Sequence, residues 1–542
     1  MQRNIPSDES FQNPEEKCSD LSAVAGPLTM AELNSPSARH TWWLAALAAI
    51  LAFGFFAMDG DVEPNLADEG YLWYGMKALK AGQIPIRDFH SYDPGRYLWI
   101  AAWSYVLGDG LVSMRAACVI FQCIGIFCGL LTLRRLTHDW RILFLGGMMF
   151  VLWMVPTYKS FEQTIGLMAI YVGVRLIERP ARKNYFLSGI FIGLMAIMGR
   201  NHGVYLVGAF GLMTVMITGA NWRLLCIRLI AAGTGIVCGY IPQILMVSFI
   251  PGYYEAFLGS IAVIFRFGTN ISLPVIWPWQ ALAEPDSHRR IYLFSMGIIY
   301  VGLVAFAVLS ILQAWRIGIR GLAKYPVFVA STCVTLFYLH FTFSRSDLQH
   351  LAHSVPLWIV GVLALSFTLR ADIQKWLSPT VIICLVGLSL SATGLVRGVF
   401  KAAFAPEGTY VEMSWGGQKM LTPKYEVGML KLAEMMDALA QPGESISFIP
   451  YSPGLYPAVN RLCPTRQSYF LIPSLTEEEE SNIAALKRNN VTWVLLQDLP
   501  IDGREDLRFR HTNPLTHAYL QNNFEVRGSF PQVKTQLLRL KE

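Results

Sequence analysis

LVSMRAACVIFQCIGIFCGLLTL, residues 111–133, carries a single charged side chain, Arg115, in twenty-three positions. A helix of that length is long enough to cross the ~30 Å of hydrocarbon in a bilayer, which takes about twenty residues. Its cysteines, Cys118, Cys123 and Cys128, have neither a CxxC spacing nor a histidine beside them. They read as small apolar residues of a lipid-buried helix rather than metal ligands or disulfide partners.

Similar runs recur on both sides. Before it lies Trp42 to Met58, and after it come Ile142 to Val155, Gln163 to Ile177, Tyr185 to Gly199 and Val204 to Thr218. The series continues with Leu224 to Phe249, Ile291 to Leu312, Pro326 to Phe343, Leu351 to Leu369 and Thr380 to Val396. That predicts about eleven transmembrane helices, of which the third to sixth are short and poorly separated. Composition agrees, with 53% hydrophobic and 15% charged residues in 542 and a positive mean hydropathy, so most of the chain has lipid as its solvent.

Basic residues fall in alternate loops: Arg134, Arg135 and Arg141; Arg179, Arg182 and Lys183; Arg223 and Arg228; Arg316, Arg320 and Lys324; Arg370 and Lys375. The positive-inside rule puts these loops in the cytoplasm. Odd parity then sends the C-terminal part to the outer side, where the acidic loops also lie. The net charge of +6 is spread over these loops rather than along one face, which argues against a nucleic-acid partner.

The expected organisation is a disordered cytoplasmic tail at 1–40, a transmembrane region at 41–396 and an extracytoplasmic α/β domain at 397–542. The tail is polar and precedes the first apolar run, so it does not read as a signal peptide. In the C-terminal part, helical patterns at Pro423 to Leu439 and Thr476 to Arg488 alternate with strand-like ISFIP and VTWVLLQ, a pattern of small α/β domains. With eight of nine cysteines in the tail or the apolar runs, no disulfide framework is expected.

The chemistry is expected in the first outer loop, 59–110, which is long, acidic and aromatic. Asp68 and Glu69 open a helical pattern containing Tyr71, Leu72, Tyr74 and Leu79, which predicts a helix lying along the membrane surface with Asp68 as its cap. A second surface helix follows Pro94. Two readings of the acidic pair stand side by side: stabilisation of a helix N-terminus, or a general base that takes the proton of an attacking hydroxyl.

The ADEGYLWYGMKALKAGQIP segment, followed by YDPGRYLWIAAWSYVLG and the arginine of LVSMR, resembles the GT-C glycosyltransferases, in particular relatives of protein O-mannosyltransferases and aminoarabinose transferases. The motif resemblance covers Asp59 to Arg115, and the plan of many spans with an external C-terminal domain covers the whole chain. It implies a GT-C-like polytopic helical fold and an inverting transfer from a sugar on polyprenyl phosphate to a hydroxyl of a lipid, glycan or protein. Asp68 would be the catalytic base, with Glu69 beside it. Where aminoarabinose transferases place a phosphate-binding lysine before the proline of the second surface helix, this chain has Asp93. Arg96, three residues on, either takes over the phosphate or is a headgroup-level surface arginine.

Further candidates stand outside the first loop. Lys159 and Glu162, in PTYKSFEQ, would meet the phosphate and assist the base, or are ordinary solvated loop residues. Arg345, Asp347, His350 and His353, in FTFSRSDLQHLAHSVP, bind phosphate or acceptor, cap a helix, or hold a metal. Tyr71 and Asp93 are further substrate-binding candidates. Arg200 and His202 are expected to point inward, with an internal salt bridge for the arginine. No cofactor is expected, and a divalent metal has no support from ligand spacing. Two rival functions remain: a polysaccharide polymerase or ligase, and a non-enzymatic transporter of lipid-linked sugar. Against the transporter, the sequence has no internal repeat.

Overall fold

The computed structural model describes residues 38–267, 271–394 and 398–542. Most of the expected tail, residues 1–37, therefore lies outside the described residues.

Leu395 and Val396, the end of the last apolar run, lie outside the described residues; among those described, each of the eleven runs falls on a helix. In chain order these are α1 (Ala38–Asp59), then, after the two helices of the first loop, α2 (Asp68–Lys80) and α3 (Pro94–Leu107), the spans α4 (Leu111–Leu133), α5 (Trp140–Trp153), α6 (Phe161–Glu178), α7 (Arg182–Met198), α8 (Arg200–Thr218) and α9 (Trp222–Phe249). Helix α10 (Tyr253–Phe267) belongs to a connecting loop, and α11 (Ser287–Ile317), α12 (Pro326–Ser344), α13 (Leu348–Ser366) and α14 (Ala371–Thr393) complete the spans. The chain is a multi-pass membrane protein.

Among the described residues, eight of the eleven are long and apolar enough to cross a bilayer. The exceptions are α5 and α7, with 14 and 17 residues, and α6, which carries three charged residues. Helix α6 is packed between α4, α12 and α13 with Phe161, Ile165, Leu167, Ile170 and Val174 all inaccessible. A helix surrounded by other helices does not need a lipid-facing surface, so it tolerates Glu162, Arg175 and Glu178. Helices α7 and α9 approach through glycines: a Cβ on Gly189 would stand 2.1 Å from the Ala232 carbonyl oxygen, and one on Gly193 2.3 Å from that of Ile236. This small-residue seam is a common way for membrane helices to pack.

Beyond the last span the chain forms a small α/β domain with two sheets. Strands β1 (Tyr410–Trp415) and β2 (Gln418–Pro423) form an antiparallel hairpin. Its two-residue turn is Gly416–Gly417, both left-handed, the geometry that matches strand twist. Helix α15 (Lys424–Leu439) follows, then β3 (Ser445–Ile449), α16 (Thr476–Arg488), β4 (Val491–Gln497), α17 (Pro514–Asn523), β5 (Phe524–Phe530) and β6 (Thr535–Leu540). The four-stranded sheet has the order β3-β4-β6-β5, with β3 and β4 parallel and the other pairs antiparallel. Helix α16 makes the crossover between the parallel pair, and every residue of β4 is buried, as a central strand requires.

Helix α2 departs from expectation. Leu72, Trp73, Tyr74 and Met76 are all buried, because the helix is sandwiched between the bundle and the C-terminal domain. Gly70 makes this possible: a Cβ there would lie 2.4 Å from the Gly454 backbone nitrogen. Only a residue without a side chain lets the two backbones meet. Tyr74 seals the joint, its ring 5.6 Å from that of Tyr456 and its hydroxyl accepting from the Cys463 amide at 3.3 Å.

Candidate active site

Asp68 is the first residue of α2, not its cap. The N-cap is Ala67, and no side chain caps the helix. The Asp68 carboxylate turns outward instead: Oδ2 accepts from Lys159 Nζ at 2.6 Å, and Oδ1 from the Tyr469 hydroxyl at 3.1 Å. Lys159 sits in a single 3-10 turn, Thr157–Lys159, between α5 and α6, and also donates to Gln349 Oε1 at 2.8 Å. The first loop, the α5–α6 turn, the start of α13 and the C-terminal domain thus meet at one carboxylate.

The group is partly open, with side-chain exposures of 24% for Asp68 and 18% for Lys159. Burial pushes the Asp68 carboxyl up, but the Lys159 charge and the hydrogen bonds from Lys159 and Tyr469, with Arg345 further off, outweigh it and hold the acid below the ordinary carboxylate range. Tyr469 moves the other way, because burial and the negative Asp68 disfavour its phenolate. The phenol remains the donor and the carboxylate the acceptor.

Glu69, one residue along, points inward and is fully buried. Arg115 grips it twice, Nε to Oε1 at 2.6 Å and Nη2 to Oε2 at 2.7 Å. The same guanidinium donates to the Val62 and Glu63 carbonyls at 2.7 and 2.8 Å, tying the start of the loop to α4. In this bidentate arrangement both Glu69 oxygens are taken by Arg115, beside Asp68 but facing away from it.

Arg96 is buried too. Its Nη2 lies 2.8 Å from Glu162 Oε1, its Nε donates to the Met198 carbonyl at 2.8 Å, and its guanidinium stacks over Tyr92 and Phe161. The reading of Arg96 as a headgroup-level surface residue is therefore excluded, and so is that of Glu162 as a solvated loop residue. Asp93 is held by Arg200, Oδ1 2.7 Å from Nε and Oδ2 accepting the Arg200 amide at 2.8 Å. That is the internal salt bridge expected of Arg200, and it occupies both Asp93 oxygens. Burial raises the Asp93 acid, with Arg200 opposing.

In the third cluster Asp347 caps α13, accepting the His350 amide and His350 Nδ1, both at 2.8 Å. It also accepts from Arg345 Nε at 2.6 Å. Although burial pushes the Asp347 acid up, the contacts with His350 and Arg345 hold it well below its ordinary range. Arg345 donates further to the Ile271 carbonyl at 3.2 Å, and its Nη2 stands 2.9 Å from Asp502 Oδ2 of the C-terminal domain. His353 is buried with neither ring nitrogen bonded. Among the described residues no three His, Cys, Asp or Glu side chains are arranged to hold a metal.

Sequence reasoning missed Tyr469, Gln349 and Asp502. Tyr71 and Tyr469 pack with ring centroids 5.5 Å apart, and Tyr71 meets Tyr92 edge-on at 5.2 Å, so the tyrosine that touches the carboxylate is backed by two others. Arg466 fastens the segment carrying Tyr469 to the first loop, donating to the Ile86 and Arg87 carbonyls at 2.6 and 3.1 Å. No sequence signal marks Tyr469, whose partner lies 401 positions away.

A GT-C-like bundle with an acidic, aromatic first loop beneath a small α/β domain is the class that this geometry defines. No family model matches the sequence, and no curated protein matches it. In fold the chain is similar to ArnT from Cupriavidus metallidurans bound to undecaprenyl phosphate, with a TM-score of 0.54 at 12% identity over 93% of this chain and 98% of that one. The apo state of the same protein gives 0.53 at 12% identity over the same shares. The Archaeoglobus fulgidus oligosaccharyltransferase in the apo form gives 0.45 at 10% identity, over 84% of this chain and 69% of that one. The expected fold, a polytopic GT-C-like bundle with a C-terminal α/β domain, is the one observed.

Proposed function

We propose that this protein is an inverting glycosyltransferase that moves one sugar from a polyprenyl-phosphate carrier to a hydroxyl of a lipid, glycan or protein acceptor at the outer face of the membrane. The observation that carries this reading is the partly exposed Asp68 carboxylate held between Lys159 and Tyr469, with Arg345 alongside. Asp68 removes the acceptor's proton as its oxygen attacks the anomeric carbon. The bond from that carbon to the phosphate oxygen breaks, and the leaving phosphate keeps the electron pair. Its growing negative charge is the main electrostatic demand, and Lys159 and Arg345 are the cations that answer it. As the phosphate draws Lys159 toward itself, Asp68 loses its strongest stabilising partner and becomes a better base.

Arg96 and Glu162 act from beneath, as a buried support for Tyr92 and the α5–α6 turn. A lipid-phosphate donor is favoured by the shared fold, since the ArnT structure holds undecaprenyl phosphate. The alternation of basic loops supports a site outside the cytoplasm, where flipped lipid-linked sugars are available and nucleotide sugars are not.

The test supplies purified full-length protein with polyprenyl-phosphate sugars one at a time and cell-envelope extract as acceptor. Wild type is expected to transfer label from one of them, and Asp68→Asn to be slower by at least about a hundredfold, the contribution of a general base. Equal transfer by both proteins contradicts the assignment.

A further inference from the structure

We infer that Asp502 of the C-terminal domain occupies the phosphate position on Arg345 in the ligand-free protein, so that donor binding requires the phosphate to displace a carboxylate of the protein itself. This inference rests on the lipid-phosphate reading of the site.

Three observations lead to it. The cations nearest Asp68 are already paired with carboxylates: Lys159 with Asp68, and Arg345 with both Asp347 and Asp502. The two partners of Arg345 differ in kind. Asp347 belongs to the adjoining helix cap and bonds Nε as well as His350, whereas Asp502 comes from another domain and meets the outer nitrogen, Nη2, with both oxygens, at 3.0 and 2.9 Å. A carboxylate set with two oxygens against a guanidinium nitrogen has the charge and spacing of two phosphate oxygens.

The second observation is the way Asp502 is presented. It stands with Gly503 at the tip of a tight turn closed by the Ile501–Arg504 bridge, and both tip residues have left-handed backbones, φ 53° and 72°. An Asp-Gly tip of this kind is favoured in such turns. The side chain is thus carried outward on a short arm that is free of the sheet. The third is accessibility: Arg345 and Asp502 have side-chain exposures of 18% and 24%, so an incoming anion can reach the pair. A partly exposed pair is weak enough to exchange, unlike the sealed Glu69–Arg115 pair.

Since the domain that carries Asp502 also supplies Tyr469 to Asp68, displacement of Asp502 by phosphate loosens one of the side-chain contacts tying this domain to the site. The donor headgroup would then make room for the acceptor at the interface.

The experiment measures binding of undecaprenyl phosphate, and of the uncharged polyprenol as a control, to the full-length protein in detergent. It compares wild type, Asp502→Asn, Arg345→Gln and the double variant. Asn-Gly is itself a favoured tip pair, so Asp502→Asn keeps the turn and removes only the charge. It is expected to bind the phosphate about two- to fivefold more tightly, the range for loss of a partly exposed competing ion pair. Arg345→Gln should bind it more weakly, and adding Asp502→Asn to that variant should change nothing. Polyprenol binding should be the same in wild type and Asp502→Asn.

Unchanged or weaker phosphate binding by Asp502→Asn, against measurable binding by wild type, overturns this inference and leaves the proposed function standing. A gain that appears equally with polyprenol overturns it as well, because it would report domain opening rather than charge competition. Failure of wild type and Asp502→Asn alike to bind undecaprenyl phosphate overturns the lipid-phosphate reading and this inference together.

Discussion

Asp68 and Glu69 share a peptide bond and have opposite surroundings. Glu69 faces the bundle, has no exposed surface, and is bound at both oxygens by Arg115. Asp68 faces the joint between the bundle and the C-terminal domain and is bound by groups from two separate elements, Lys159 and Tyr469. The same division runs through the whole site. A sealed tier, Glu69–Arg115 and Arg96–Glu162, fixes the first loop on the spans, and a more exposed tier, Asp68–Lys159 and Arg345–Asp502, lies at the joint between the bundle and the C-terminal domain. Residue type alone does not tell these two carboxylates apart, whereas their burial and the origin of their partners do.

The largest effect that would sharpen this contrast comes from breaking the sealed tier. Glu69→Ala leaves the Arg115 guanidinium buried and uncompensated, so the protein should lose about 3–5 kcal/mol of stability, read as a much lower melting temperature and poor yield in detergent. A Glu69→Ala protein as stable as wild type would break the distinction.

Intermediate in size is Tyr469→Phe. The phenol donates to the carboxylate, so it stabilises the ionised form, and removing it should raise the Asp68 acid. A base works only when ionised, so the acid limb of the rate profile should move to higher pH. The turnover number should fall by about tenfold, as expected for loss of one charge-assisted hydrogen bond. In wild type the sign is the reverse: the depressed acid keeps Asp68 ionised, and activity should persist below the ordinary carboxylate range and fail only as pH drops further. A pH profile identical in both proteins contradicts the role given to Tyr469.

The smallest effect is on the stability of Asp68→Asn. With a partly exposed pair at stake, its melting should shift by less than about 1 kcal/mol even though its transfer activity collapses. Comparable destabilisation of Asp68→Asn and Glu69→Ala would place both acids in one structural tier.

The fold was readable in the sequence because lipid imposes a length and a composition on each span. All eleven apolar runs fall on helices among the described residues; α5 and α7 are short, and in α6 neighbouring helices replace lipid and admit charge. In the C-terminal domain, β4 and α16 stood out through an unbroken buried run and an acid-rich first turn. The β1–β2 hairpin and the β5–β6 edge did not, since their alternation is weak and exposed.

The site was readable only in part. Asp68, Lys159, Arg345, Asp347 and His350 lie in loops between apolar runs, where charge has to be accounted for, and they do converge. Tyr71 packs as a ring against Tyr469, the partner of Asp68. The resemblance placed Glu69, Arg96 and Asp93 near the right depth but not in the right surroundings, because burial and partner are decided by packing with α4, α6 and α8. Tyr469 and Asp502 reach the site through domain docking, to which local sequence is blind. Gln349 stood among the marked residues of its segment but, as a neutral amide, drew no attention.

The most direct test of the account is a structure of the full-length protein with undecaprenyl phosphate bound. The account predicts the phosphate between Lys159 and Arg345, with Asp502 withdrawn from the guanidinium and Asp68 facing the same space. A lipid phosphate bound elsewhere, with the Lys159–Asp68 and Arg345–Asp502 pairs unchanged, would contradict it.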